Sequence, residues 1–112
     1  MDKIKQARRW CNQTVIVSIE FRTNRSNGEC DLTLDLATDE KAGSDAISIR
    51  FIGVSNLKID EIGGGISQLI SLKVVDIRKQ QWDRLNYKVC DYETQRIEFL
   101  CRDFYIEREY KV

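Results

Sequence analysis

From Thr14 onward the chain alternates. Val15, Val17, Ile19 and Phe21 take every second place, with Ile16, Ser18, Glu20 and Arg22 between them. A period of two marks a strand that buries one face, here the odd-numbered one. "TNRSNG" follows, and Asn27-Gly28 supplies residues that tolerate positive φ in a turn. The rhythm resumes with Cys30, Leu32, Leu34 and Leu36 against Asp31, Thr33 and Asp35. Together the two runs predict a hairpin.

After a loop over 38–45, Ile47, Ile49 and Phe51 form the next apolar face. Gly53 interrupts it as a bulge or bend, and Leu57 and Ile59 carry it on. "IGGGIS" predicts a turn. Leu69 to Val75 is apolar on both faces, the mark of a strand covered on each side, hence a central one. "DIRKQQWDRLN" reads as a loop or helical turn. Leu85, Tyr87 and Val89 open another strand, and Ile97, Phe99 and Cys101 form the last core strand. Phe104 and Ile106 have the opposite parity, which predicts a bulge at Arg102-Asp103, and the tail continues as an edge strand. Before all this, Ile4, Ala7 and Cys11 keep helical spacing, so residues 2–10 predict one short helix that must dock to persist.

The links are short, and parallel pairs need long crossovers, so the strands pair antiparallel. The expected fold is all-β: a small antiparallel β-sandwich or partly open barrel of about six to seven strands. The 112 residues suit a single domain over 1–112, large enough to fold without metal or disulfide.

Charge narrows the function. Eighteen basic and eighteen acidic residues cancel, which argues against a nucleic-acid binder that works through its field. No apolar run is long enough for a membrane helix, and "MDKIKQARRWCNQ" lacks an apolar signal core, so a cytoplasmic protein is expected. Cys11, Cys30, Cys90 and Cys101 are then expected as buried thiols. They are too far apart for zinc-ligand pairs, and the chain has no histidine. The missing histidine also removes the usual base for a Ser or Cys nucleophile. No cofactor is implied.

The densest chemistry lies in "YKVCDYETQRIEFLCRDF", residues 87–104. A two-residue turn at Thr94-Gln95 would set Cys90 opposite Phe99. A three-residue turn would set Val89 opposite Cys101. Neither pairs the two cysteines. Asp91 and Glu93 share a face across from Arg96, Glu98 and Arg102, and read as a solvated ladder of opposite charges. Gly63-Gly64-Gly65 lacks the Lys-Ser or Lys-Thr of a phosphate loop. Trp82 stands among Arg78, Lys79 and Arg84. It is either a protein contact, since Trp and Arg anchor interfaces, or a ring capping the end of the sandwich.

Residues 51–106 carry a Gly-Val-x-Asn-Leu element at Gly53–Leu57 and an Asp-Ile-x-x-x-Gln-Trp element at Asp76–Trp82. A Tyr-x-Val-x-Asp-Tyr-Glu element follows at Tyr87–Glu93, then Phe-x-Cys-x-Asp-Phe at Phe99–Phe104. This half of the chain resembles small stand-alone bacterial proteins similar to immunity proteins of polymorphic toxin systems. The resemblance implies a non-enzymatic protein that blocks a toxin by contact, and it brings no catalytic residues. Trp82, Arg84, Tyr92 and Tyr105 are the expected anchors. The alternative is a barrel that carries a small apolar ligand in its interior. An exposed edge at "FYIEREYKV" leaves pairing with a second copy open, against the charges of Glu107, Arg108, Glu109 and Lys111.

Overall fold

The computed structural model describes residues 3–10, 13–39, 41–59, 72–80, 85–91 and 97–112. Eight strands are described: β1 (Val15–Thr23), β2 (Cys30–Ala37), β3 (Asp45–Ile52), β4 (Ser55–Ile59), β5 (Leu72–Asp76), β6 (Tyr87–Asp91), β7 (Ile97–Cys101) and β8 (Asp103–Lys111). They form two four-stranded sheets, β1-β2-β3-β8 and β4-β7-β6-β5. Every pairing among the described residues is antiparallel. The protein is an all-β sandwich, and among the described residues the sheets close no barrel. The strand count exceeds the expected six to seven because two long runs are each divided at a corner.

That corner organises the fold. β3 leads into β4, and β7 into β8, so both runs change sheets at the same place. Such corners are made by bends within strands. The Arg102 amide donates to the Ile52 carbonyl at 2.9 Å, and the Val54 amide donates to the Cys30 carbonyl at 2.7 Å. Gly53 turns there with φ +65°. A Cβ on it would lie 3.0 Å from Cβ of Arg102. Both the backbone angle and the close approach call for glycine. The break in parity at Arg102-Asp103 is thus a change of sheet.

Between the sheets lies the apolar core. Leu32, Leu34 and Leu36 of β2, Ile49 and Phe51 of β3, Val89, Ile97, Phe99 and Phe104 are all fully buried. Phe51 packs edge-on to Phe99 with centroids 4.9 Å apart, and Tyr87 to Phe104 at 5.0 Å. Edge-to-face contacts of this kind add to what area burial contributes.

The N-terminal helix is shorter than its pattern. α1 covers Lys3–Ala7, and a 3-10 turn over Arg8–Trp10 ends it. This tightening carries Trp10, outside the expected stripe, into the core, edge-on to Phe104 at 5.7 Å and Phe51 at 6.5 Å. α1 packs against β5. Lys3 Nζ donates to the Phe104 carbonyl at 2.6 Å and pairs with Asp103 at 3.2 Å, and Arg9 pairs with Glu109. Five residues cannot hold a helix alone, so Trp10 and these bonds to β8 keep it in place. Cys11 lies outside the described residues.

Three strand readings need correction. In β1 a bulge between Ile16 and Ser18 shifts the register, from Ile16 opposite Leu36 to Ser18 opposite Asp35. Val17 is the extra residue and is exposed, so Ile16 and Ile19 pack on the core across the shift. Phe21 keeps the inward face but stays 48% exposed at the sheet edge. β5 was expected to be central. It ends its sheet among the described residues, with Lys73 and Val75 exposed and only Leu72 and Val74 of its apolar positions buried. β6 and β7 pair Val89 with Phe99 and Cys90 with Glu98, a register that neither short turn would give. The two cysteines still do not meet. The "IGGGIS" turn lies outside the described residues.

Candidate functional site

The alternation that buries the leucines of β2 turns Asp31, Thr33 and Asp35 to the other side of the first sheet. Pairing then fixes their neighbours. β2 and β3 set Asp35 opposite Ser48 and Thr33 opposite Arg50. β3 and β8 set Ser48 opposite Arg108 and Arg50 opposite Tyr105, with a register shift between Ser48 and Ile49. Three strands therefore bring two carboxylates, two arginines and two tyrosines onto one outward face.

These groups hold one another. Arg50 Nη2 donates to Asp31 Oδ2 at 3.0 Å, and its Nη1 lies 3.8 Å from Glu107 Oε1. Ser48 Oγ donates to Asp35 Oδ1 at 2.8 Å, and the Tyr110 hydroxyl donates to Asp35 Oδ2 at 2.5 Å. Arg108 stacks over the Tyr110 ring at 4.4 Å, with Nη2 4.0 Å from Asp35 Oδ2. Asp31 and Asp35 are only 9% and 8% exposed. Carboxylates so far out of water need such donors. Burial pushes the Tyr110 hydroxyl up to about 12, helped by its hydrogen bond to Asp35 and by that residue's charge. The hydrogen bond to Asp31 holds Arg50 above its ordinary value, with Tyr105 adding to it. Beside the Arg50 pair, Glu20, Arg22, Asp31, Thr33, Arg50 and Glu107 line a depression of about 170 Å³.

The second sheet's outward face is plainer. Lys88 and Glu98 pair at 3.0 Å across β6 and β7. Asp91 was expected beside them in a solvated ladder. It is fully buried instead, opposite Leu72. The physical reason is parity: Asp91 shares its face with Tyr87 and Val89, which point into the core. Arg102 leaves that ladder too and binds Glu29 at 3.0 Å at the corner. Of the described cysteines, Cys101 is buried, while Cys30 and Cys90 are half-buried rather than fully buried as expected. All three are free thiols. Burial raises the Cys101 thiol to about 12. No group of three or more Cys, Asp or Glu among the described residues is placed to hold a metal ion.

Of the four expected anchors, Tyr105 lies half-buried on the first sheet's outward face, opposite Arg50. Trp82, Arg84 and Tyr92 lie outside the described residues. Arg50, Arg108 and Tyr110, with Asp31 and Asp35 behind them, were not among the anchors expected from the sequence. The one signal they gave was the repeated acidic position in "CDLTLDL"; the pairing of β3 with β8 was needed for the rest.

A family model described as Immunity protein PIM8 matches residues 1–107. The chain belongs to this immunity protein family. The resemblance read from residues 51–106 is borne out, and the family extends over the N-terminal half as well. Neither the curated proteins nor the solved structures contain a match to the chain. Family membership implies a protein toxin as partner. Among the described residues no helix is long and apolar enough to cross a membrane.

Proposed function

We propose that the protein neutralises a cognate toxin without chemistry of its own, by covering the toxin's active site with the outward face of β1-β2-β3-β8. The observation that carries this reading is the placement of Arg50 beside Tyr105 and of Arg108 over Tyr110, each pair backed by a nearly buried carboxylate. Tyr and Arg are the residues that most often dominate binding energy. Here Arg50, Arg108 and Tyr110 are already held by an ion pair, a stacked ring and a hydrogen bond, so little conformational freedom is left for them to lose on binding. The strands supply a rigid platform, and the mixed charges favour a toxin surface of mixed charge. Trp82, Arg84 and Tyr92 are proposed as further anchors beside Tyr105. The complex forms in the cytoplasm of the bacterium that makes both proteins.

The test is co-expression with the toxin encoded beside it, read as growth, with calorimetry on the purified pair. Tyr105→Ala combined with Arg50→Glu is expected to abolish protection and weaken binding by a hundredfold or more, on the order of 3 kcal/mol. Full protection by this variant, folded as judged by circular dichroism, would remove the face from the mechanism. Full protection by Trp82→Ala with Tyr92→Ala would remove those two anchors only.

A further inference from the structure

β1 and β8 are the two edges of the first sheet among the described residues, and they differ. Along β8, Lys3 caps the Phe104 carbonyl and Arg9 pairs with Glu109. β1 runs nine residues at its edge and leaves Val17 and Phe21 43% and 48% exposed. A long edge strand with exposed apolar side chains is a template for another strand.

The backbone phase of that edge can be read from the hairpin turn. Asn24 donates to the Glu29 carbonyl at 2.7 Å and accepts from the Gly28 amide at 2.8 Å, so both its backbone groups point toward β2. Along an antiparallel strand this direction alternates from residue to residue. Arg22, Glu20 and Ser18 therefore also bond toward β2, and Thr23, Phe21 and Ile19 present their amides and carbonyls to the open edge. A second strand must answer those three residues.

Two copies of β1 related by a two-fold axis can do so in few registers, since odd residues must face odd ones. An axis at Glu20 sets Glu20 against its own copy, and an axis at Arg22 does the same with Arg22. An axis at Ile19 sets Phe21 against the bulged Val17. An axis at Phe21 meets none of these objections. It sets Glu20 opposite the second copy's Arg22 and Arg22 opposite its Glu20. It also sets Ile19 opposite Thr23 and brings the two Phe21 rings together. The charge pairs then fall on the closely spaced, non-hydrogen-bonded positions, where side chains interact best. In one chain Arg22 pairs with Glu20 of its own strand, so dimerisation exchanges the exposed local pair of each copy, two in all, for two pairs across the axis.

We infer that two copies of this chain join through β1, antiparallel and centred on Phe21, into one continuous sheet with four strands from each copy. The contact is isologous, as closed dimers require. It rests on the edge geometry alone and is independent of the toxin-binding reading. Its footprint is one strand and a pair of rings, small against the roughly 1,200 Å² of a stable interface, so the dimer is weak and concentration-dependent.

Sedimentation velocity of the full chain over a wide concentration range tests it. The wild type is expected to show a reversible monomer–dimer equilibrium. Arg22→Glu sets like charges opposite each other twice and weakens the dimer about tenfold. Adding Glu20→Arg restores complementarity and returns the wild-type affinity. Phe21→Lys leaves only monomer. A wild type that stays monomeric throughout overturns the inference. So does a dimer indifferent to Arg22→Glu, or a double variant as weak as the single one. Because the double variant carries both changes, its recovery separates lost contacts from lost folding.

Discussion

One strand, β2, serves two surfaces that obey different physics. Its inward side chains, Leu32, Leu34 and Leu36, are fully buried among Ile47, Ile49, Phe51 and Phe104. Its outward Asp31 and Asp35 are also nearly buried, yet among arginines, a serine and a tyrosine. Inside, the favourable term is apolar area removed from water, which is large and asks only for fit. Outside, each contact replaces one with water, so its net contribution is small and its geometry is specific. The difference teaches that the inward face holds the fold while the outward face fixes where polar groups stand.

The sharpest way to break this comparison is Phe51→Ala. Phe51 touches Trp10, Phe99 and Phe104, and its loss is expected to cost about 3–5 kcal/mol in urea unfolding. A cost no greater than that of an outward substitution would show that the inner layer does not dominate. Asp35→Ala comes next. It strands the hydroxyls of Ser48 and Tyr110, and about 1–3 kcal/mol of destabilisation is expected. Tyr110→Phe removes one of those bonds and should cost about 1 kcal/mol.

Tyr110 also gives a pH signature. Its folded pKa is raised, to about 12, so the neutral hydroxyl is favoured by folding. That contribution is complete below the ordinary tyrosine pKa near 10 and is lost as pH rises through about 12. Tyrosinate absorbance should show a late transition that Tyr110→Phe deletes. A titration without that late component would mean that the hydroxyl is neither buried nor held by Asp35 as described. The smallest effect belongs to Arg50→Ala. Its ion pairs with Asp31 and Glu107 are more than a third exposed on the arginine side, so under about 1 kcal/mol of stability is expected to go. Its loss should instead be read in toxin binding.

Much of this was legible before any coordinates. The hairpin of β1 and β2, the apolar positions of β3 and β7, the interruption at Gly53 and the change of parity at Arg102 all follow from local pattern. The misreadings share a cause. A bulge at Val17 reverses which face of β1 looks inward, and no residue type there announces it. Asp91 sits at a core-facing position that its charge argued against. The apolar residues on both sides of Leu69–Val75 suggested a central strand, while β5 stands at the end of its sheet among the described residues.

The order of residues by itself decided that this chain folds into strands, because side-chain alternation is a property of each strand and needs no partner, and its short links made them antiparallel. It also carried the family. Which strands become neighbours was decided only in three dimensions. Arg50 and Tyr105 are far apart in the chain and meet because β3 pairs with β8, and that register depends on a corner and a bulge whose cost is offset by the whole core. A surface built from non-local pairs is a property of packing, so it could not be read from any one segment.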